Sequence, residues 1–242
     1  MEVLTGKAAI VTGGSKGYGA GIAEVLKTAG VKVWITARHE EGLQETSKRL
    51  DCSFIKADVT KPEDWDMVID TVLREAGRLD ILVNNAGAGG KIAPLAEMTD
   101  EEIDRCLAVN LTGAIYGCRR AAKILKRQKS GTIINISSVC QKEAWPGFAV
   151  YSAAKAGLNL LSKCLYTELR KYGVRVTTLV PSWGDTDFSR AAGLRELPAE
   201  VKAKVIKPKE LGEIVLAICA LPAHLAIEDV TVWPLVQEVV PL

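Results

Sequence analysis

Ala8-Ala9-Ile10-Val11, then Thr12-Gly13-Gly14-Ser15-Lys16-Gly17-Tyr18-Gly19, then a helical run from about Ala20 to Thr28 closed by Gly30, is the stretch on which the fold turns. An unbroken apolar run of this length reads as a strand covered on both faces, the pattern of a parallel sheet. The glycines behind it permit a tight turn and close approach of a ligand to the backbone. The helix that follows offers unpaired N–H groups and the positive end of its dipole to a pyrophosphate. Taken alone, the segment is only suggestive, the plain alternative being an ordinary glycine-rich turn.

Working outward, the same alternation repeats to the end of the chain. Val31–Ile35, Ser53–Ile55, Ile81–Val83, Thr132–Ile136 and Val174–Leu179 read as further strands, Ile227–Val232 as a seventh, with helical patterns between them. Strands alternating with helices predict an α/β fold, and parallel neighbours need helical crossovers. The expectation is a Rossmann-type doubly wound parallel sheet of about seven strands, helices on both faces, in a single domain over 1–242. Ligands of such sheets bind beyond the carboxyl ends of the strands, so chemistry is sought there.

Composition narrows the function classes. The chain has 242 residues, 48% hydrophobic and 25% charged, enough to bury a sizeable core. Lys and Arg number 31 against 29 Asp and Glu, scattered rather than in runs, which argues against nucleic acid as a partner. The longest apolar stretch, near Ile214–Ala220, is too short for a bilayer, which needs about 18 to 20 residues, so no membrane span is expected. Met1–Lys7 has neither a basic n-region nor an apolar h-region, and the expectation is a cytoplasmic protein. Six dispersed cysteines without a CxxC pair fit reduced thiols rather than disulfides or a zinc site, and the two histidines, His39 and His224, leave no His-rich metal site.

The turn spacing is Gly-x-x-x-Gly-x-Gly, and with four further matches it resembles the classical short-chain dehydrogenase/reductase family. Asn84-Asn85-Ala86-Gly87 follows the fourth strand, Asn110 lies in the next helix, Ser138 follows the fifth strand, and Tyr151-x-x-x-Lys155 stands thirteen residues beyond Ser138. The resemblance runs from about Lys7 to Asp187. It implies a nicotinamide dinucleotide held by Gly13, Ser15, Lys16, Gly17, Tyr18 and Gly19 of the turn, Asn85, Ala86 and Gly87 after the fourth strand, and Tyr151 and Lys155. Asp58-Val59 resembles the family's adenine-contacting pair, though Asp58 is as readily a helix cap before Pro62. Pro181-Ser182-Trp183-Gly184-Asp185-Thr186 resembles the segment around the nicotinamide carboxamide, which implicates Pro181, Gly184 and Thr186. Three residues depart from the pattern: Ser182 replaces the usual glycine, Tyr18 a small aliphatic, and Gln141 a glycine.

Charge decides between the cofactors. An acidic residue after the second strand holds a ribose 2′-OH, whereas a 2′-phosphate needs a cation. Thr36-Ala37-Arg38 puts Ala37 at the acidic position and Arg38 beside it, with Lys16 in the glycine turn, so NADP is expected over NAD. The plain alternative is Arg38 as a solvated surface charge.

On a helix, Tyr151 and Lys155 share one face. Moving a phenol from a pKa of about 10 to about 7 takes about 4 kcal/mol, and one charge at about 4 Å in an effective dielectric near 20 supplies about that. Tyr151 is thus expected to exchange a proton with the substrate oxygen while the cofactor carries hydride, with Ser138 bonding the same oxygen. By resemblance Lys155 also bonds the nicotinamide ribose, and Asn110 positions a water that connects Lys155 to solvent. Singly, these residues are also a buried tyrosine, a snorkelling lysine and a strand-end serine. No metal is expected.

Residues 187–207 are charge-rich with spaced apolar positions, and by family analogy form a substrate-covering segment; a plain surface helix is the other reading. Trp145, Phe148, Trp183 and Phe188 fall near the expected pocket walls and favour a small-molecule carbonyl or alcohol of some apolar bulk, whereas Lys142 and Glu143 would select a charged one. The helices near Arg105–Leu125 and Ser152–Tyr172 resemble the pair that forms a two-fold four-helix interface. With the apolar tail Leu235-Val236, Val239-Val240 and Leu242, they predict a homodimer or homotetramer. The expected function is an NADP-dependent carbonyl reductase or alcohol dehydrogenase. The rivals are a catalytically silent dinucleotide sensor and a sugar-nucleotide enzyme, the latter needing a larger substrate domain.

Overall fold

The computed structural model describes residues 4–194 and 196–238. Its spine is a seven-stranded parallel sheet in the order β3-β2-β1-β4-β5-β6-β7. The strands are β1 Ala8–Thr12, β2 Lys32–Ala37, β3 Ser53–Lys56, β4 Ile81–Asn84, β5 Gly131–Ile136, β6 Val174–Pro181 and β7 Asp229–Val232. The chain winds outward from β1 in both directions, so the order reverses between β1 and β4. That switch point opens a crevice at the strand ends.

Alternation along the strands builds a core on each face. Ala9 and Val11 of β1, with Ile81 and Val83 of β4, pack under α1 (Gly17–Thr28) and α9 (Pro208–Ala220). Ala8 and Ile10, with Leu82, face the opposite layer of α3 (Pro62–Ala76) and α5 (Gly113–Gln128). Each strand is therefore apolar on both sides, which explains its uninterrupted reading in the sequence. At the amino end of the sheet, the buried Asp80 carboxylate accepts from Lys7 Nζ, the Ala8 backbone N–H and both Nε and Nη2 of Arg78. Burial alone would raise the Asp80 pKa, but these donors outweigh it and hold the group below the usual carboxylate range.

Several elements differ from the sequence reading. The helix expected over Arg105–Leu125 is α4 (Asp100–Leu107) and α5 joined by a π-helical turn, Ala108–Thr112. Thr99 and Glu102 cap the start of α4 reciprocally. The helix α6 runs Ala149–Leu169, beginning early enough that Tyr151 sits in its first turn. Residues 187–207 hold two short helices, α7 (Phe188–Ala191) and α8 (Ala199–Lys202), because Gly193 and Pro198 interrupt a longer one. The remaining α-helix among the described residues, α2, spans Glu40–Leu50. No helix among the described residues is long and apolar enough to cross a membrane.

Candidate active site

A cleft of about 650 Å3 opens along the carboxyl ends of the strands. Its floor begins at the glycine turn. Thr12 is the hub: its hydroxyl accepts from the backbone N–H of Asn85 and of Ala86, while Asn85 Nδ2 donates to the Thr12 carbonyl, so the ends of β1 and β4 are tied together. Gly13 is left-handed at φ +65, and a Cβ there would stand 3.0 Å from Ala86 Cα. A Cβ on Gly19 would overlap the Gly13 carbonyl. The turn therefore accepts no side chain at these points, and its backbone lies bare toward the cleft. Ser15 is held from behind by Thr46 Oγ1, which donates to the Ser15 carbonyl.

All the cofactor residues expected from the sequence except Gly19 line this cleft, and Gly19 lies buried in the turn beneath it. Gly17 faces Thr186, whose Cγ2 would be 3.4 Å from a Cβ there. Asp58 is not the cap of α3, which starts from Lys61; its Oδ1 accepts from both the N–H and the hydroxyl of Thr60. Burial pushes the Asp58 carboxyl up, but those bonds and the nearby Arg38 leave it below its ordinary range. Lys16 does not project freely: its Nζ donates to Asp187 Oδ2 at 2.8 Å, joining the glycine turn to the segment before α7. Arg38, by contrast, is exposed at the cleft edge with no ion pair among the described residues. Tyr18 packs under the β6 loop, where its phenol occupies the space a Cβ on Gly184 would need. A large residue at one departure from the family pattern is thus matched by the absence of a side chain at its neighbour.

The other end of the cleft gathers Ser138, Tyr151 and Lys155, while Asn110 lies buried behind Gly87 and Ala88 and does not line it. Ser137 and Ser138 divide as alternation requires. The Ser137 hydroxyl is buried and donates to the Lys155 carbonyl, whereas the Ser138 oxygen accepts from Cys140 N at 3.3 Å beside the cleft. Lys155 is 4% exposed and donates from Nζ to the Ile136 carbonyl at 3.0 Å. Its Nζ lies 5.7 Å from the centre of the Tyr151 ring. Asn110, in the π turn, is a clamp: Oδ1 accepts from Ala88 N, and Nδ2 donates to the carbonyls of Ala88 and Cys106. A Cβ on Gly87 would lie 3.0 Å from Asn110 Oδ1 and 3.4 Å from Lys155 Nζ, so glycine keeps this corner open.

The expected acidified phenol is corrected by the geometry. Burial is the largest influence on Tyr151 and raises its pKa above the usual value of 10.0; Ser138 acts the other way without reversing it. Burial likewise pulls Lys155 down to about 8, opposed by the Cys140 and Cys106 thiols. Desolvation wins because both groups are enclosed and the lysine is spent on a backbone carbonyl. The phenol is therefore held protonated, with the Lys155 side chain one helical turn away.

Trp145, Phe148, Trp183 and Phe188 all line the cleft as expected, and neither Lys142 nor Glu143 does. Sequence reading missed Gln237. This residue is 8% exposed, and its Oε1 accepts from the Ser182 hydroxyl at 2.5 Å and the Trp183 N–H at 3.1 Å, which folds the C-terminal segment against the cleft. Its one signal is a lone neutral polar residue in an apolar tail. Leu235 is fully exposed, while Val239, Val240 and Leu242 of the expected tail lie outside the described residues. Among the described residues no group of three or more His, Cys, Asp or Glu is placed to hold a metal.

Comparison with known proteins agrees with this architecture. Residues 7–196 match the profile of the family described as short chain dehydrogenase. An uncharacterized oxidoreductase of Staphylococcus aureus is 33% identical over 237 residues, covering 97% of this chain and all of that protein. Among solved structures, a metagenomic short-chain oxidoreductase in complex with NADP superposes with a TM-score of 0.83 at 32% identity, covering 96% of this chain and 98% of the other. A 3-ketoacyl-(acyl-carrier-protein) reductase from Brucella melitensis complexed with NADH gives a TM-score of 0.87 at 29% identity, covering 94% and 97%. Sheet order, glycine turn and whole-length similarity converge: the chain belongs to the short-chain dehydrogenase family and is an oxidoreductase.

Proposed function

We propose that the protein interconverts a carbonyl compound and its alcohol, with NADP(H) as the preferred hydride carrier and Tyr151 as the proton donor and acceptor. The observation that carries this reading is the meeting, in one cleft, of the bare glycine turn and Arg38 at one end with Ser138, Tyr151 and Lys155 at the other. The residues fit a dinucleotide. Gly13, Ser15 and Gly17 would hold its pyrophosphate above the buried Gly19, Arg38 with Lys16 its 2′-phosphate, Asp58 and Val59 its adenine, and Asn85 to Gly87 with Lys155 its ribose. Tyr18, Pro181, Gly184 and Thr186 would flank its nicotinamide. Such a cofactor, when bound, supplies or accepts the hydride.

The chain's own part is proton chemistry and orientation. Because burial keeps the Tyr151 phenol protonated, it can give its proton to a carbonyl oxygen that also accepts a bond from Ser138. The phenolate left behind is stabilised by the charge of Lys155, which that same encounter favours. Asn110 fixes the Ala88 segment against the π turn, beside Lys155, and is the residue we assign to placing a relay water. In the reverse direction Tyr151 must first lose its proton, a step that the Lys155 charge and the positive ring of an oxidised cofactor would favour, before it takes one from an alcohol. Residues 187–207 would cover the site, α7 already resting against Gly89.

Exposed Ile115 on α5 and Leu160 on α6 favour a homo-oligomer built through those helices. Six free cysteines favour the reducing cytoplasm. The test is the loss of reduced-cofactor absorbance over a panel of neutral and charged ketones and aldehydes, with NADPH and NADH in parallel. Turnover with higher kcat/KM for NADPH supports the reading; tight NADPH binding with no turnover on any substrate would favour the silent sensor instead.

A further inference from the structure

Beyond Ser138 the cleft is walled by rings and branched aliphatics. Trp145 and Phe148 meet edge to face at 6.3 Å between centroids, Phe148 and Tyr151 at 6.2 Å, and Tyr151 and Phe188 at 5.4 Å. The proton-donating phenol is thus the third ring of a chain of four, and a group seated beside it has aromatic surface on either side. The wall is held in place: Phe188 and Ala192 pack so closely on the loop after β4 that a Cβ on Gly89 would come within 2.7 Å of Ala192 Cβ and 3.0 Å of Phe188 Cζ. Leu194 and Leu197 extend the apolar lining.

The polar groups at this end are neutral or already engaged. Asp187 is held ionised by Lys16 and also accepts from Arg190, so one carboxylate engages both cations. Lys142 reaches toward Asp229 at 3.9 Å, away from the cleft. Gln237 presents an uncharged amide. The Trp183 N–H can only donate, so it fixes the carbonyl side of Gln237 against the β6 loop and leaves the amide N–H2 as the outward group.

We infer that the substrate is a neutral carbonyl compound whose carbonyl carries an aryl or similarly bulky apolar substituent, and that oxo compounds bearing a carboxylate or phosphate are poor substrates. This rests on the reductase reading above. An aryl group is rewarded by edge-to-face contact and loss of apolar surface to water, whereas a carboxylate among these rings is stripped of water beside cations that are already engaged, Lys155 by the Ile136 carbonyl and Lys16 by Asp187.

The experiment compares acetophenone, 4-carboxyacetophenone and butanone at saturating NADPH, and titrates the first two into NADP-loaded protein while Trp fluorescence is followed. Acetophenone is expected to exceed 4-carboxyacetophenone by at least about thirtyfold in kcat/KM and to quench fluorescence when the acid does not. Phe148→Leu should lower kcat/KM for acetophenone, mainly through KM, about tenfold more than it lowers that for butanone, a split that general misfolding would not produce. Equal or better reduction of the carboxylate overturns the inference and leaves the reductase reading standing. Selective quenching by acetophenone with no turnover of any carbonyl would uphold the pocket assignment and overturn the reductase reading. Absence of both turnover and selective quenching would overturn both.

Discussion

Replacing Arg38 with alanine removes a guanidinium that stands at the end of β2 on the rim of the cleft. Two cations have been assigned to the 2′-phosphate, and the structure ranks them. Lys16 must first surrender Asp187, its partner at 2.8 Å, whereas Arg38 has no ion pair among the described residues to give up. A hydrogen bond to a charged group is worth about 1.5–3 kcal/mol, and because Arg38 is exposed and screened by salt the lower end applies, about 1.5 kcal/mol. At 1.4 kcal/mol per decade, Arg38→Ala should weaken NADPH by about tenfold. For Lys16→Ala the lost contact is offset by no longer breaking an exposed pair worth about 0–1 kcal/mol, so a loss of about threefold is expected. NADH, lacking the phosphate, should change by less than about twofold in both. The assay is Kd by fluorescence titration of both cofactors at low and high salt, with the NADPH effect shrinking as salt rises. Equal weakening of NADPH and NADH, or an unchanged NADPH affinity, would refute the assignment.

Other expectations follow from the same geometry. Asp80→Asn places a donor among donors in a buried site, and with Lys7 and Arg78 still partly in water the cost should be about 2 kcal/mol, seen as a Tm drop of about 4–8 °C. Because the folded pKa of Asp80 lies below its unfolded value, its contribution is complete above the ordinary carboxylate range and is lost as pH falls through the lowered value, so the gap between wild type and Asp80→Asn should close in acid. Gly184→Ala should cost about 1–3 kcal/mol by thrusting a methyl into the Tyr18 phenol, and a Tyr18→Leu background should recover most of it; equal costs in both backgrounds would show that the two residues do not compete for space. Lys155 carries its charge only below about 8, so kcat/KM for NADPH, which reports groups of the free enzyme, should fall as pH rises through that value, and Lys155→Met should lack that limb.

Much of the fold was legible because each strand is apolar on both faces and needs no tertiary information to be recognised: β1 packs Ala8 and Ile10 into one layer and Ala9 and Val11 into the other. The candidate site was legible where side-chain spacing is local, as at Tyr151 and Lys155 one helical turn apart. Three features were not. The π turn at Asn110 widens a helix whose hydrophobic pattern is otherwise continuous, so periodicity passes over it. The Tyr151 pKa depends on enclosure and on where Lys155 spends its proton, both set by residues such as Ile136 that are distant in sequence. Gln237 joins the cleft through bonds from Ser182 and Trp183, 55 and 54 positions away, and the Lys16–Asp187 pair spans 171 positions; long-range contacts of this kind leave no periodic trace.

The account stands or falls on Tyr151 as the group that moves the substrate proton, and Tyr151→Phe tests it with the loss of one oxygen and little change in packing. Steady-state turnover of a reducible ketone should fall by about 10²–10⁴, the span of positioned acid–base catalysis, while the Kd for NADPH stays within about threefold of wild type. A phenylalanine variant that keeps turnover within tenfold would place the proton transfer elsewhere in the cleft.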